Sequence, residues 1–237
     1  MLSSLATLPP AGATKCAPRR GSGYNRPVHL LPIIALWVTS TLAILGAEKR
    51  VRWLEMVFKP VTTLLFFAVI GRPESSFARW VTAGIALSVV GDVALLWNSD
   101  RAFIAGLVAF LLAHVAYVIA FLGVARWSPH VAAVAAVMVV SSTLIMRAIW
   151  KGAAAMHAAT IAYATVITTM VVSAAATVGG PYLMAPYAAV GAVLFYISDA
   201  SLALNRFRRP IPHIAFWAMG VYWLGQLGIA IAASASF

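Results

Sequence analysis

The sequence predicts an all-α integral membrane protein, built as a bundle of eight transmembrane helices. Composition is the first reason: of 237 residues, 62% are hydrophobic and only 10% are charged, and the mean hydropathy is +0.92. A soluble domain carries about 25% charged residues, so this chain has too little polar material to cover a water-exposed surface. The second reason is pattern. The apolar runs are continuous, lack strand-like alternation and approach the ~20 residues that cross a bilayer as a helix.

The chain divides into a basic tail, 1–27, and a membrane domain, 28–237. The tail contains Pro, Gly, Ser and four cations, which predicts disorder, and it lacks the apolar core of a cleavable signal peptide. The eight predicted spans cover about 28–46, 53–70, 77–97, 102–124, 130–149, 153–177, 182–204 and 212–233. The single Cys16 excludes an internal disulfide.

A short turn that is charged or contains Gly or Pro separates each span from the next one. In chain order the turns are Glu48–Arg52, Gly71–Glu74, Asn98–Arg101, Arg126–Pro129, Arg147–Gly152, Gly179–Pro181 and Arg206–Pro210. Because these linkers are short, we expect consecutive helices to be antiparallel neighbours and no soluble domain to interrupt the bundle.

Two stretches with an acidic residue, in the third and seventh spans, repeat each other at a constant offset. Gly91–Asn98 contains Asp92, and Ser198–Asn205 contains Asp199. The repetition is consistent with a 4+4 parallel repeat. A carboxylate within hydrocarbon costs roughly 2.5–3.5 kcal/mol on insertion scales, so a functional role is favoured. The alternative is a structural clamp, in which each Asp is satisfied by a neighbouring hydroxyl or amide.

Helix direction predicts that three ionisable groups share one membrane face. Spans three and seven run the same way, and each Asp is placed about one and a half turns, or ~8 Å, before the end of its helix. Span two enters from that face and carries Lys59, followed by Pro60, about two turns in. We expect the two carboxyl groups to lie within about 10 Å, the range in which paired carboxylates act as acid and base. Which of the two is the acid stays open.

Other polar side chains on these spans are candidates for supporting or substrate-binding roles. They are Lys59, His114, Tyr117, Tyr196, Asn98, Asn205, Tyr222 and Gln226. His114 suits a proton relay or a general base, and Lys59 suits a phosphate head group. The alternatives are a snorkelling lysine and ordinary interhelical hydrogen bonds. No metal is predicted, because no second His or Cys stands at ligand spacing, and no motif implies a cofactor.

The net charge of +11 comes largely from cations at the ends of spans. This distribution is typical of membrane topology and not of nucleic-acid binding. The expected partners are therefore membrane lipid and no nucleic acid, and a homo-oligomer is left open. Because the loops on the aspartate side hold most of the Lys and Arg residues, the positive-inside rule places that side in the cytoplasm. A multi-pass protein of a bacterial inner membrane is expected.

Taken together, the motifs between about 50 and 230 form an ordered set. The set comprises Lys59–Pro60, Gly91, Asp92, Leu95, Phe103, Gly106, Phe110, His114, Tyr117, Ser198, Asp199, Leu202, Phe207, Tyr222 and Gln226. It resembles the lysoplasmalogenase-like, or YhhN-like, family of eight-helix membrane proteins. The resemblance implies a hydrolase that cleaves the vinyl ether bond of a lysoplasmalogen, a lysolipid, to a fatty aldehyde and a glycerophospho-alcohol. The implied chemistry on Asp92 and Asp199 parallels that of the carboxylate pairs in glycoside hydrolysis.

Two other functions stay open. One is a proton- or cation-coupled transporter of small solutes that uses the same aspartates, since internal repeats are common in transporters. The other is a non-catalytic factor for lipid binding or assembly. Gradient-dependent flux in sealed vesicles favours the transporter, and lysolipid binding without turnover favours the factor.

Overall fold

The computed structural model describes residues 30–180 and 182–235, and all regular structure in these ranges is helical. The helices are α1 (Leu30–Glu48), α2 (Arg52–Ile70), α3 (Ser76–Ala94), α4 (Asp100–Leu122), α5 (Pro129–Ile149), α6 (His157–Ala175), α7 (Ala185–Phe207) and α8 (Ile214–Ser234). A 3₁₀ turn, Ala154–Met156, leads into α6. All eight helices are long and apolar enough to cross a membrane, so the predicted bundle is confirmed. The predicted tail and Cys16 lie outside the described residues.

Local chemistry places the aspartates differently with respect to their helix ends. Ser99 caps α4 by accepting a hydrogen bond from the Ala102 amide at 3.2 Å, and the residues before it form a turn, so α3 ends at Ala94. Asp92 is therefore two residues from the end of α3, whereas Asp199 is eight residues before the end of α7. The prediction that both lie about one and a half turns from their helix ends was wrong.

Helix packing follows chain order with one exception. Each helix packs on the next, but α4 and α5 are not in contact within the described ranges, because α6 packs on α4. The expectation that all consecutive helices are neighbours was therefore wrong at this pair. Helix α8 is central, since it contacts α1, α2, α3 and α7.

The 4+4 repeat is not confirmed. Helix α2 packs on α8, and its counterpart α6 packs on α4, as a repeat requires. However, α1 packs on α8, whereas the equivalent helices α5 and α4 are apart in the described part of the chain.

Glycines bring α7 and α8 into close contact. A Cβ added to Gly191 would lie 2.5 Å from the carbonyl oxygen of Gly225, and one added to Gly225 would lie 2.8 Å from the carbonyl oxygen of Gly191. Small residues of this kind allow membrane helices to approach closely. At the end of α7, Arg206 pairs with Asp100 of α4 at 3.1 Å. The turn after α3 and the end of α7 therefore lie at one membrane face.

Candidate active site

Asp92 is enclosed by donors from α2 and α8. Its side chain is 2% exposed, and its Oδ2 accepts hydrogen bonds from Thr63 Oγ1 at 2.6 Å and from Tyr222 Oη at 3.0 Å. Lys59 Nζ lies 3.7 Å from Oδ1, and Trp223 Nε1 donates to Thr63 Oγ1 at 3.2 Å. A buried carboxylate needs paired donors of this kind. We call this set the Asp92 cluster.

A second layer of hydrogen bonds extends the Asp92 cluster across α3, α4 and α8. Gln226 donates through Nε2 to Ser88 Oγ at 3.0 Å and accepts through Oε1 from Tyr117 Oη at 2.8 Å. Its Nε2 also lies 3.4 Å from the hydroxyl of Tyr222. All of these groups are buried, so the layer holds Tyr222 in place beside Asp92.

Asp199 faces α4 and α6 and has a different environment. Tyr163 donates a hydrogen bond to its Oδ2, and His114 Nε2 lies 3.6 Å from the same oxygen. The Asp199 side chain is 14% exposed. His114 is fully buried, and neither ring nitrogen has a hydrogen-bond partner of ordinary geometry among the described residues. Such buried unpaired nitrogens are rare, which makes His114 a candidate for a functional role. We call this set the Asp199 cluster.

Aromatic rings join the two clusters. Phe195 of α7 is fully buried, and its ring centroid lies 4.6 Å from that of His114 and 5.1 Å from that of Tyr222. Phe110 of α4 also packs edge-on against Phe195 and Tyr222. The expected separation of about 10 Å between the carboxyl groups stays a prediction.

Three of the sequence candidates lie outside both clusters. Tyr196 hydrogen-bonds through Oη with Ser141 and Ser142 of α5, at 2.9 and 3.1 Å. Asn98 is exposed in the turn between α3 and α4. Asn205 accepts a hydrogen bond from the Ile211 amide at 2.8 Å and so shapes the turn into α8. The structure brings the other candidates, Lys59, His114, Tyr117, Tyr222 and Gln226, to the clusters.

The sequence reasoning missed Thr63 and Tyr163, each of which donates a hydrogen bond to an aspartate. Thr63 could have been found, because it stands four residues after Lys59 and residues at that spacing share a helix face. Tyr163 stands in α6 among Ala, Ile, Val and Thr residues with no related motif, so the sequence carries no comparable signal for it.

These groups can transfer protons and stabilise positive charge. Two carboxyl groups, one histidine and several tyrosine hydroxyls lie in the two clusters around Phe195, and Lys59 adds a cation. Within residues 30–180 and 182–235, no group of three or more His, Cys, Asp or Glu side chains converges in the way that a metal ion requires.

Comparisons with known proteins identify relatives of this chain. Lysoplasmalogenase TMEM86B of Homo sapiens is 28% identical over 192 residues, which cover 78% of this chain and 78% of that protein. Lysoplasmalogenase of Mycobacterium tuberculosis is 33% identical over 163 residues, which cover 65% of this chain and 60% of that protein. No solved structure matches the chain. Residues 54–233, which include both aspartates, match the YhhN family, and the chain therefore belongs to that family.

Proposed function

We propose that this protein is a membrane-embedded hydrolase that cleaves the vinyl ether bond of lysoplasmalogen-type lysolipids to a fatty aldehyde and a glycerophospho-alcohol. The names of its relatives support the substrate. The observation that carries the proposal is the placement of Asp92 and Asp199 in polar clusters that meet at one aromatic layer. The multi-pass membrane fold suits a substrate that resides in the bilayer.

The reaction requires an acid, a base and a negative charge that stabilises a cationic intermediate. A carboxylic acid protonates the alkene carbon remote from the ether oxygen, and the adjacent carbon becomes part of an oxocarbenium ion. Water adds to that carbon and gives up a proton to a base, and the resulting hemiacetal collapses to the aldehyde and the alcohol. Paired carboxylates serve an equivalent cation in glycoside hydrolysis.

The surroundings of the aspartates suggest how the roles divide. Asp199 is the more accessible and has Tyr163 and His114 beside it, so we assign it the proton transfer to the alkene. Asp92 is held by Lys59, Thr63 and Tyr222, so we assign it the fixed negative charge that stabilises the cation. The same residue type can take both roles when its environments differ.

An assay of purified protein in detergent tests the proposal. Wild type is expected to release aldehyde from a lysoplasmalogen and to leave the corresponding alkyl-ether lysolipid intact. Asp199→Asn should lower kcat by about 10²–10⁴, the usual contribution of a general acid. Asp100→Asn is the matched control, because Asp100 is exposed at the same membrane face, and it should keep full activity. A folded Asp199→Asn variant with normal turnover would contradict the proposal.

Transport is the second candidate function, because the buried, unpaired His114 beside Asp199 would also suit a proton or cation path. It predicts gradient-dependent flux in sealed vesicles and no aldehyde release in detergent.

We further propose that the aspartate face is cytoplasmic in a bacterial inner membrane, because most Lys and Arg residues flank it.

A further inference from the structure

A groove of about 330 Å³ runs between α1, α2 and α8, outside the two clusters. Its walls are mostly apolar, and it extends from Phe216 near the aspartate face to Leu227 deeper in the bundle. This segment of α8 is about 16 Å long, close to the depth of one leaflet, which is half of a hydrocarbon core of about 30 Å. Trp37 and Trp217 on its rim are exposed, so the groove opens toward lipid.

The mouth of the groove is polar and positively charged. His213 Nδ1 lies 2.7 Å from Glu48 Oε2, which ties the end of α1 to the residue before α8. The adjoining turns carry four exposed cations, Lys49, Arg50, Arg208 and Arg209. An apolar groove of leaflet depth beside turns that carry four cations matches an amphiphile with one hydrocarbon chain and a phosphate group.

We propose that the groove binds the hydrocarbon chain of a single-chain phospholipid, with its phosphate among the cations at the mouth. This inference goes beyond the proposed function: it names a lipid-binding site beside the Asp92 cluster and not the place of cleavage, because Tyr163 and His114, which lie beside Asp199, are not part of the groove wall. Thr62 and Trp223 form part of the inner wall, and Trp223 donates to Thr63, which donates to Asp92. One indole ring and one hydroxyl therefore separate the chain from the Asp92 carboxylate.

Gly220 offers a direct way to fill the groove. It lines the groove on α8, and a Cβ added there would meet only Ile44 Cδ1, at 4.0 Å. A larger side chain at this position therefore enters open space. Glycine is also the less favourable residue in a helix interior, so the substitution does not weaken α8.

The experiment measures binding of alkyl-ether lysophosphatidylethanolamines of graded chain length to purified wild type, Gly220→Ala and Gly220→Leu. Because these ligands lack the vinyl bond, binding is measured without turnover. Gly220→Leu should weaken binding of the longest chain about tenfold, the effect of excluding about two methylene groups. Shorter chains should lose less, and Gly220→Ala should fall between. Ala136→Leu adds the same side chain on an exposed part of α5 and should have no effect.

Three results would overturn the groove assignment. They are chain-length dependence unchanged in Gly220→Leu, an equal loss in Ala136→Leu, or competition by a diacyl phospholipid as strong as that by the lysolipid. The vinyl-ether assay separates this inference from the proposed function. If wild type binds lysolipid in the groove but releases no aldehyde, the hydrolase proposal fails and the groove assignment stands.

Discussion

The Asp92 and Asp199 clusters arise from the same repeated motif, and their surroundings differ. Asp92 is 2% exposed and has a cation and two hydroxyl donors. Asp199 is 14% exposed and has one hydroxyl donor and a histidine that makes no ordinary hydrogen bond with the described residues. The repeated motif supplies two carboxyl groups, and the neighbouring helices enclose Asp92 more completely and leave Asp199 more accessible.

Helices in equivalent positions of the two halves surround the two aspartates. Each Asp is contacted by the helix that precedes its own, α2 or α6, and by α8 or α4, the last helix of the other half. The side chains at these places are different, since Lys59 has no cationic counterpart of fixed charge beside Asp199 in the described contacts. The proposed division of roles, with one aspartate as acid and the other as anion, depends on this asymmetry.

The largest expected effect on stability comes from breaking the ion pair in the Asp92 cluster. Lys59→Met leaves a buried carboxylate without its cation, and the loss of one partner of a buried pair costs about 3–5 kcal/mol of unfolding free energy. Lys59→Met combined with Asp92→Asn should recover much of that loss, because neither charge is then unpaired. Denaturant unfolding in detergent measures both, with Lys151→Met as an exposed control. A double variant less stable than either single variant would contradict a stabilising ion pair between Lys59 and Asp92.

The matched pair Tyr163→Phe and Tyr222→Phe sharpens the comparison at the level of single hydroxyl groups. Tyr163→Phe removes the hydroxyl that stabilises the Asp199 carboxylate as it forms during proton transfer. It should lower kcat about 10- to 100-fold, since a hydrogen bond to a charged group contributes about 1.5–3 kcal/mol. Tyr222→Phe should cost less than about tenfold, because Thr63 and Lys59 still hold Asp92. Steady-state kinetics of both variants provides the test. Equal losses, or a larger loss for Tyr222→Phe, would reverse the assignment of roles.

The sequence predicts the bundle because hydrocarbon admits little besides a long apolar helix. It also places Lys59 and Asp92 correctly at one membrane face, since helix direction alternates along the chain. It does not predict helix rotation. The close contact between Gly191 and Gly225 turns α7 so that Phe195 meets α8 and Tyr196 meets α5.

Which side chains meet across packed helices was equally out of reach of the sequence. Tyr163 reaches Asp199 because α6 packs on both α4 and α7. No spacing rule links residues 36 positions apart on different helices. The end of α3 was not predicted either. The turn before Ser99, which caps α4, ends α3 at Ala94 and not near residue 97 as expected.

The smallest expected effect is that of Tyr196→Phe, which tests whether nearness in sequence to Asp199 matters. Tyr196 stands three residues before Asp199, but its hydroxyl lies against Ser141 and Ser142 of α5. Its removal should cost about 1 kcal/mol of unfolding free energy, the net contribution of one hydrogen bond, and should leave kcat and KM within about twofold. Ser142 still has the hydroxyl of Thr168 at 2.7 Å as a partner. A strong loss of kcat in a stable Tyr196→Phe variant would mean that α5 belongs to the active site, and the Asp199 cluster would then have to extend to a third neighbouring helix.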